Sequence, residues 1–261
     1  MGLTRDSFRK RLTSGSPVIG PWCVVPSVAS AVAIASSGMD FAIVDMEHGS
    51  FDTGSMLSYV HALRSQGCAA LVRPSGGTDP DMIQKALDGG ADGIVIPNIK
   101  SVEDAEHILS LARYAPLGNR GFSPFTPAGS MFQQESVEYR ERANDRISVI
   151  GILESEQAIE NLEAIVGVRA FDALYIGAYD LSSALGFEGD VYHPEFRKIF
   201  LQILSRANVS GVTIGGYVAR SEADVRWLVE AGMTFITCEV DLAALMTKYT
   251  ALASAFKDSL E

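Results

Sequence analysis

The chain of 261 residues is poor in cysteine, histidine and lysine, and nowhere does it run apolar for long. Cys23, Cys68 and Cys238 are odd in number, lack CxxC spacing and sit among apolar neighbours, which argues for buried reduced thiols over disulfides or metal ligands. With only four histidines, of which His61 and His107 fall in helical patterns and His193 precedes Pro194, a histidine-rich zinc site is disfavoured. Apolar stretches such as Ala69 to Val72 and Gly93 to Pro97 are far short of the ~20 residues that span a bilayer. Met1 to Arg11 is too charged for a signal peptide, so residence in the cytoplasm is expected. Basic side chains are also in the minority: 21 against 32 acidic ones give a formal charge of -11, which repels nucleic acid and anionic membrane. Small molecules are the expected partners. No GxxxxGK[ST], GxGxxG opening a helix, HExxH or GxSxG is present, which removes the common nucleotide, zincin and serine-hydrolase signatures.

What is present is an ordinary globular composition, 47% apolar and 20% charged, arranged as short β-branched runs that alternate with helical patterns. Strands are expected at Gly20–Val25, Phe41–Asp45, Ala70–Arg73, Gly93–Pro97, Val149–Glu154, Ala173–Gly177, Gly211–Ile214 and Phe235–Glu239. Helices are expected at Ser27–Ser36, Thr53–Gln66, Pro80–Asp88, Val102–Ala112, Glu156–Val166, Glu195–Ala207, Glu222–Glu230 and Leu242–Lys257. Near-continuously apolar strands are buried on both faces, as in a parallel sheet. Eight βα units in one chain of this length fit a single-domain (β/α)8 TIM barrel better than an open doubly wound sheet. Most strand starts lie 21 to 29 residues apart, but Gly93 and Val149 are 56 apart, which implies an insertion at about 114–146. Its Phe/Pro/Ser/Gly-rich part, Phe122 to Phe132, suits a long ordered loop over a site, and Glu138 to Arg146 reads as a solvated helix beyond it.

Reactive groups of such a barrel sit where its strands end. Strand two ends in Asp45-Met-Glu47-His48, strand three in Arg73, strand four in Pro97-Asn98 and strand five in Glu154, and strand six is followed by Asp180. Any one acidic residue there could simply cap the next helix, but capping does not explain why all of these should converge on one mouth. Glu154 and Asp180 are hard oxygen ligands on adjacent strands and suit Mg²⁺ or Mn²⁺, with water and substrate completing the shell. Asp45 lies close enough before His48 to hydrogen-bond its imidazole and make it a general base; a satisfied loop histidine is the alternative. Arg73 offers a fork that matches a substrate carboxylate, unless it is spent on an ion pair with Glu47 or Asp45. A divalent metal, a chelating 2-oxo acid and a nearby base favour an enolate, and hence metal-dependent aldol cleavage. A Schiff-base route is disfavoured because all six lysines lie outside the expected strands. The glycine pairs Gly76-Gly77 and Gly215-Gly216 read as turns or as points of close approach to a ligand.

Asp45-Met-Glu-His48, Val72-Arg73-Pro74, Leu87-Asp88-Gly-Gly-Ala91, Ile96-Pro97, the run from Arg113 to Gly121, Leu153-Glu154 and Ile176-Gly-Ala-Tyr-Asp-Leu-Ser182 resemble the HpcH/HpaI class II pyruvate-aldolase family, in order from about Gly20 to Leu245. The resemblance implies a (β/α)8 barrel with a divalent metal (Mg²⁺, Mn²⁺ or Co²⁺) and cleavage of 4-hydroxy-2-oxo acids to pyruvate and an aldehyde. It makes Glu154 and Asp180 the metal ligands, Arg73 the pyruvate-binding arginine, His48 with Asp45 the base and its orienting partner, and Asp88 a carboxylate near the subunit contact that completes the site. It further implies a homo-oligomer, a hexamer built from dimers that exchange their last helix, here Leu242–Lys257. Trp22 joins the residues expected to contact the ligand. Two positions depart from the pattern. Ile152 stands where an amide usually contacts the ligand, and Tyr179 puts a phenol where a small residue precedes the metal aspartate. Both leave the substrate and the direction of reaction open, with decarboxylation of oxaloacetate, condensation, citramalyl-type cleavage and non-catalytic binding of a 2-oxo acid as alternatives.

Overall fold

The computed structural model describes residues 5–128 and 136–260. Its eight strands are β1 (Val18–Cys23), β2 (Phe41–Asp45), β3 (Ala69–Arg73), β4 (Gly93–Ile96), β5 (Ser148–Leu153), β6 (Ala173–Ile176), β7 (Thr213–Ala219) and β8 (Phe235–Val240). They pair in parallel and in chain order, and β8 closes on β1. The expected (β/α)8 barrel is therefore the observed one. The core lies in two layers, as a closed sheet requires. Phe41, Ile43, Leu71, Val95, Ile150 and Phe235 fill the interior, while Val44, Val72, Ile94, Val149 and Leu174 face the surrounding helices.

Helix α1 (Arg5–Thr13) was not expected, because its sequence is largely charged. Its two apolar side chains, Phe8 and Leu12, are one turn apart and complete the interior core from the end where the strands begin. Arg9 and Arg11 tie it there through Asp172 (2.6 Å) and Asp40 (2.7 Å). Next come α2 (Val28–Ser36), α3 (Thr53–Ser65), α4 (Pro80–Asp88) and α5 (Val102–Ala112), close to their expected limits. Ser27, Asp52, Asp79 and Ser101 cap them through their side-chain oxygens.

In the insertion, α6 (Ser136–Arg146) is the expected helix, but only one face of it is solvated: Tyr139, Ala143 and Asn144 are buried. The loop before it is placed differently from expectation. Arg120 pairs with Asp88 at 2.6 Å, the backbone N–H of Ala128 donates to the Asp88 carbonyl, and Phe122 packs between Tyr114 and Tyr139. These contacts hold the described part of the loop against the last turn of α4, at the opposite end of the barrel from the strand C-termini. The stretch 129–132 lies outside the described residues.

The single helix expected over Glu156–Val166 is two, α7 (Glu156–Glu160) and α8 (Leu162–Gly167), broken at Asn161, whose side chain donates to the Lys100 carbonyl. A short α9 (Ala178–Ala184), also unforeseen, begins straight after β6 and buries Ala178 and Leu181. Its seven residues are too few for a periodic signal. Strand β7 runs on through Gly215-Gly216, which are neither turn nor ligand contact: a Cβ on Gly215 would lie 2.3 Å from the Phe235 ring and 2.6 Å from its carbonyl oxygen. After α10 (Pro194–Val209) and α11 (Glu222–Glu230), α12 (Asp241–Asp258) closes the chain.

Candidate active site

Asp45 and Arg73 are the last residues of β2 and β3 and stand opposite each other in register. Arg73 therefore reaches Asp45 sideways, with Nε donating to Oδ1 at 2.8 Å and Nη2 to Oδ2 at 2.5 Å, while Nη1 lies 3.2 Å from Glu47. Its guanidinium carbon sits 4.5 Å from the centroid of the Trp22 ring. Burial alone would ease deprotonation of Arg73, but the Asp45 and Glu47 carboxylates outweigh it and push its pKa further up. The ion pair considered as the alternative for Arg73 is thus present. Two of its five N–H groups are hydrogen-bonded and Nη1 faces Glu47 as an ion pair, which leaves N–H groups on Nη1 and Nη2 for a ligand.

The Asp45 carboxylate does not orient the His48 ring as expected. Its Oδ1 accepts the backbone N–H groups of Glu47 (3.0 Å) and His48 (3.2 Å), and the rest of its capacity goes to Arg73. The three-residue spacing brings the His48 N–H within reach of the carboxylate, and the loop turns there. The His48 side chain is exposed at the mouth of the barrel, and its ring has no hydrogen-bond partner among the described residues. Asp45 places His48 through the backbone.

Glu154 follows β5, half-buried, and its Oε1 accepts the backbone N–H of Asn98 at 2.8 Å. Asn98 presents that N–H from a left-handed conformation (φ 59°) just beyond β4, which asparagine tolerates. Burial raises the Glu154 pKa; the nearby carboxylates of Asp180 and Glu47 add to this, against the Asn98 hydrogen bond and Arg73. Asp180, in the first turn of α9, is exposed at the same mouth. Room for Glu154 depends on Gly177: a Cβ there would stand 2.9 Å from its Cβ and 3.0 Å from Oε2.

Two hard carboxylates, one of which raises the pKa of the other, are the donor set a divalent cation relieves, and the bare backbone at Gly177 leaves room for the Glu154 carboxylate. Among the described residues no group of three or more His, Cys, Asp or Glu side chains converges as a ready metal cage. A cation held here would take two protein oxygens and complete its shell from water and ligand.

Below these groups Tyr175 forms the floor. The Trp22 Nε1–H donates to its hydroxyl at 3.2 Å, and the hydroxyl lies 2.8 Å from Thr237 Oγ1, which itself donates to the Tyr217 carbonyl at 2.7 Å. Since Thr237 has one proton, the Tyr175 O–H must donate to it, and the direction of the chain is settled. Trp22, Asp45, His48 and Arg73, with Ile152, Glu154, Tyr179 and Asp180, all line one cavity of about 400 Å³ at the strand C-termini. Asp88 does not. It lines a separate cavity of about 430 Å³ between α3, α4 and the insertion.

A family model described as HpcH/HpaI aldolase/citrate lyase matches residues 20–247. The chain belongs to this family. A curated relative, the 4-hydroxy-2-oxo-heptane-1,7-dioate aldolase of Escherichia coli, strain ATCC 8739, is 31% identical over 251 residues, which cover 96% of this chain and 95% of that protein. Among solved structures, an HpcH/HpaI aldolase from Desulfitobacterium hafniense DCB-2 superposes with a TM-score of 0.89 at 30% identity, covering 96% of both chains. A family protein from Burkholderia cenocepacia J2315 superposes at 0.88 and 28% identity, covering 98% of this chain and all of that one. With this membership the chain is an enzyme of the class II aldolase and lyase kind.

Tyr175, Val24, Val218 and Val240 also line the cavity and went unremarked in the sequence. A phenol inside an otherwise apolar strand was a readable signal for Tyr175. The valines carried none, because a valine near a strand end reads as core.

Proposed function

We propose that the enzyme cleaves a 4-hydroxy-2-oxo acid to pyruvate, or a related 2-oxo acid, and an aldehyde with the help of a divalent cation (Mg²⁺, Mn²⁺ or Co²⁺), and runs the reverse condensation. The observation that carries this reading is the convergence of Glu154, Asp180, Arg73 and the unpartnered His48 ring in one cavity. The naming of the E. coli relative as an aldolase supports it. Asp45, Glu47, Glu154 and Asp180 outnumber Arg73, so an anionic oxo acid needs a cation to enter. Glu154 and Asp180 are the residues to hold it. Bound there, it supplies a Lewis acid for the negative charge that develops on the C2 oxygen. Arg73 directs its free N–H groups at the substrate carboxylate, and Asp45 holds the guanidinium in place.

His48 takes the proton from the C4 hydroxyl as the C3–C4 bond breaks; the electron pair stays on C3, C4 departs as the aldehyde carbonyl, and a proton returned to C3 yields pyruvate. Loss of CO₂ from oxaloacetate develops the same charge on the same atoms and is the expected side activity. The proposed assembly is a homo-oligomer, a hexamer or trimer of dimers, in which α12 packs on a second copy. Its support is a stripe along that helix of Leu245, Met246, Tyr249, Leu252 and Phe256, every one more than half exposed. Three unpaired thiols support residence in the reducing cytoplasm.

Thorough chelation is expected to abolish pyruvate release from a 4-hydroxy-2-oxo acid, and Mg²⁺ or Mn²⁺ to restore it. In the same assay Glu154→Ala is expected to lose Mn²⁺ binding, whereas His48→Ala keeps it and loses most turnover. Activity that survives complete metal removal overturns the reading.

A further inference from the structure

The cavity has two unlike halves. The charged half comes from β2, β3, β5 and the start of α9. Across from it stand Val24 after β1, Val218 of β7, Val240 of β8 and the Tyr179 ring, which is 44% exposed. Val218 and Val240 rest on the interior core on one side and leave their other side open to the cavity. Such a wall gains from contact with an apolar group and offers nothing to a charged one.

The electrostatics agree. Arg73 is the one guanidinium or ammonium lining the cavity among the described residues, and it already faces Asp45 and Glu47. Behind Val24 stands an acid: the Asp241 carboxylate accepts the backbone N–H groups of Val24 at 3.0 Å and Val25 at 3.2 Å, while the Arg197 guanidinium, bonded to Tyr217 and Asp224, does not line the cavity. Ile152, which lines the same cavity, offers it no polar atom from its side chain.

We infer that the C4 substituent of the oxo acid, and so the aldehyde released, is an uncharged alkyl or aryl group lodged against Val24, Val218, Val240 and Tyr179. A substituent ending in a carboxylate, such as the one in the 1,7-dioate for which the E. coli relative is named, meets this wall with no lining cation among the described residues beside it. The inference rests on the aldolase reading above.

The test measures kcat/KM for pyruvate release, with saturating Mn²⁺, from 4-hydroxy-2-oxo acids bearing methyl, ethyl, propyl, phenyl or 2-carboxyethyl at C4. From methyl to propyl kcat/KM is expected to rise about fourfold per methylene, the factor that corresponds to ~0.8 kcal/mol per buried CH₂. The 2-carboxyethyl compound is expected to fall roughly tenfold or more below propyl. Tyr179→Arg, at an exposed site that does not hold the fold together, is expected to raise the 2-carboxyethyl to propyl ratio by about tenfold, since it puts a cation on the wall. Equal or better cleavage of the 2-carboxyethyl compound, or an unchanged ratio in Tyr179→Arg, overturns the inference while leaving the aldolase reading intact. Absence of pyruvate from every member of the series overturns that reading, and the inference with it.

Discussion

Tyr175 shows how much one hydroxyl can organise. Replacing it by phenylalanine leaves the Trp22 N–H without an acceptor and Thr237 without one of its two partners, all of it buried. Tyr175→Phe is therefore expected to cost roughly 1–3 kcal/mol in urea unfolding. It also predicts a pH effect. Burial pushes the phenol up to about 12, against the hydrogen bond it accepts from Trp22, whereas an unfolded tyrosine titrates at about 10. A group raised on folding contributes stability that is complete below the unfolded pKa and is lost as pH climbs through the folded one. Wild-type stability should thus fall more steeply than that of Tyr175→Phe between about pH 10 and 12, and parallel curves would contradict the assignment. At this scale the acidic and basic site residues were legible from the sequence, because a charged side chain at the end of an apolar strand has few other uses. Their partners were legible only as alternatives: an Arg73 ion pair with Asp45 or Glu47 was one reading and an Asp45–His48 ring pair another, and the neighbouring strand's guanidinium took the carboxylate.

Among the elements, the β6–α9 junction matters most to the site, since it delivers Tyr179 and Asp180 within four residues of the strand's end. The absence of a side chain at Gly177 makes the delivery possible. Gly177→Ala would force Glu154 to move, because its Cβ and Oε2 would both lie about 3 Å from the new methyl. The expected result is a roughly 10–100-fold loss of Mn²⁺ affinity with the barrel still folded, read by electron paramagnetic resonance and circular dichroism. Undiminished affinity would show that Glu154 does not hold the ion. The limits of β2, β4, β8 and most helices followed from patterning and caps. Helix α1 was hidden because only Phe8 and Leu12 face inward, and the α7–α8 break was hidden because the contact from Asn161 to Lys100 spans 61 residues.

For the whole molecule the sharpest expectation concerns α12. Its stripe of large apolar side chains, each more than half exposed, is the surface on which the proposed assembly packs, and no helix among the described residues is long and apolar enough to cross a membrane. The double variant Tyr249→Asp with Leu252→Lys is expected to lower the assembly mass in light scattering, to the monomer if α12 is the main contact. An unchanged mass would remove α12 from the assembly. Asp88 belongs to the same scale: within one copy it serves Arg120 and the insertion, and it stands away from the mouth cavity.

Sequence alone determined the architecture and the chemical cast. Eight apolar strand patterns, each followed by a helix, suit a closed parallel barrel, and charged residues at strand ends point to its mouth whatever their neighbours are. Tertiary structure decided who touches whom. Register set Arg73 against Asp45, a left-handed Asn98 turned its N–H onto Glu154, and the pairing of β8 with β1 and β7 brought Val24, Val218 and Val240 into one apolar wall. Each of these depends on distances between residues remote in the chain, and local propensity carries no record of such distances.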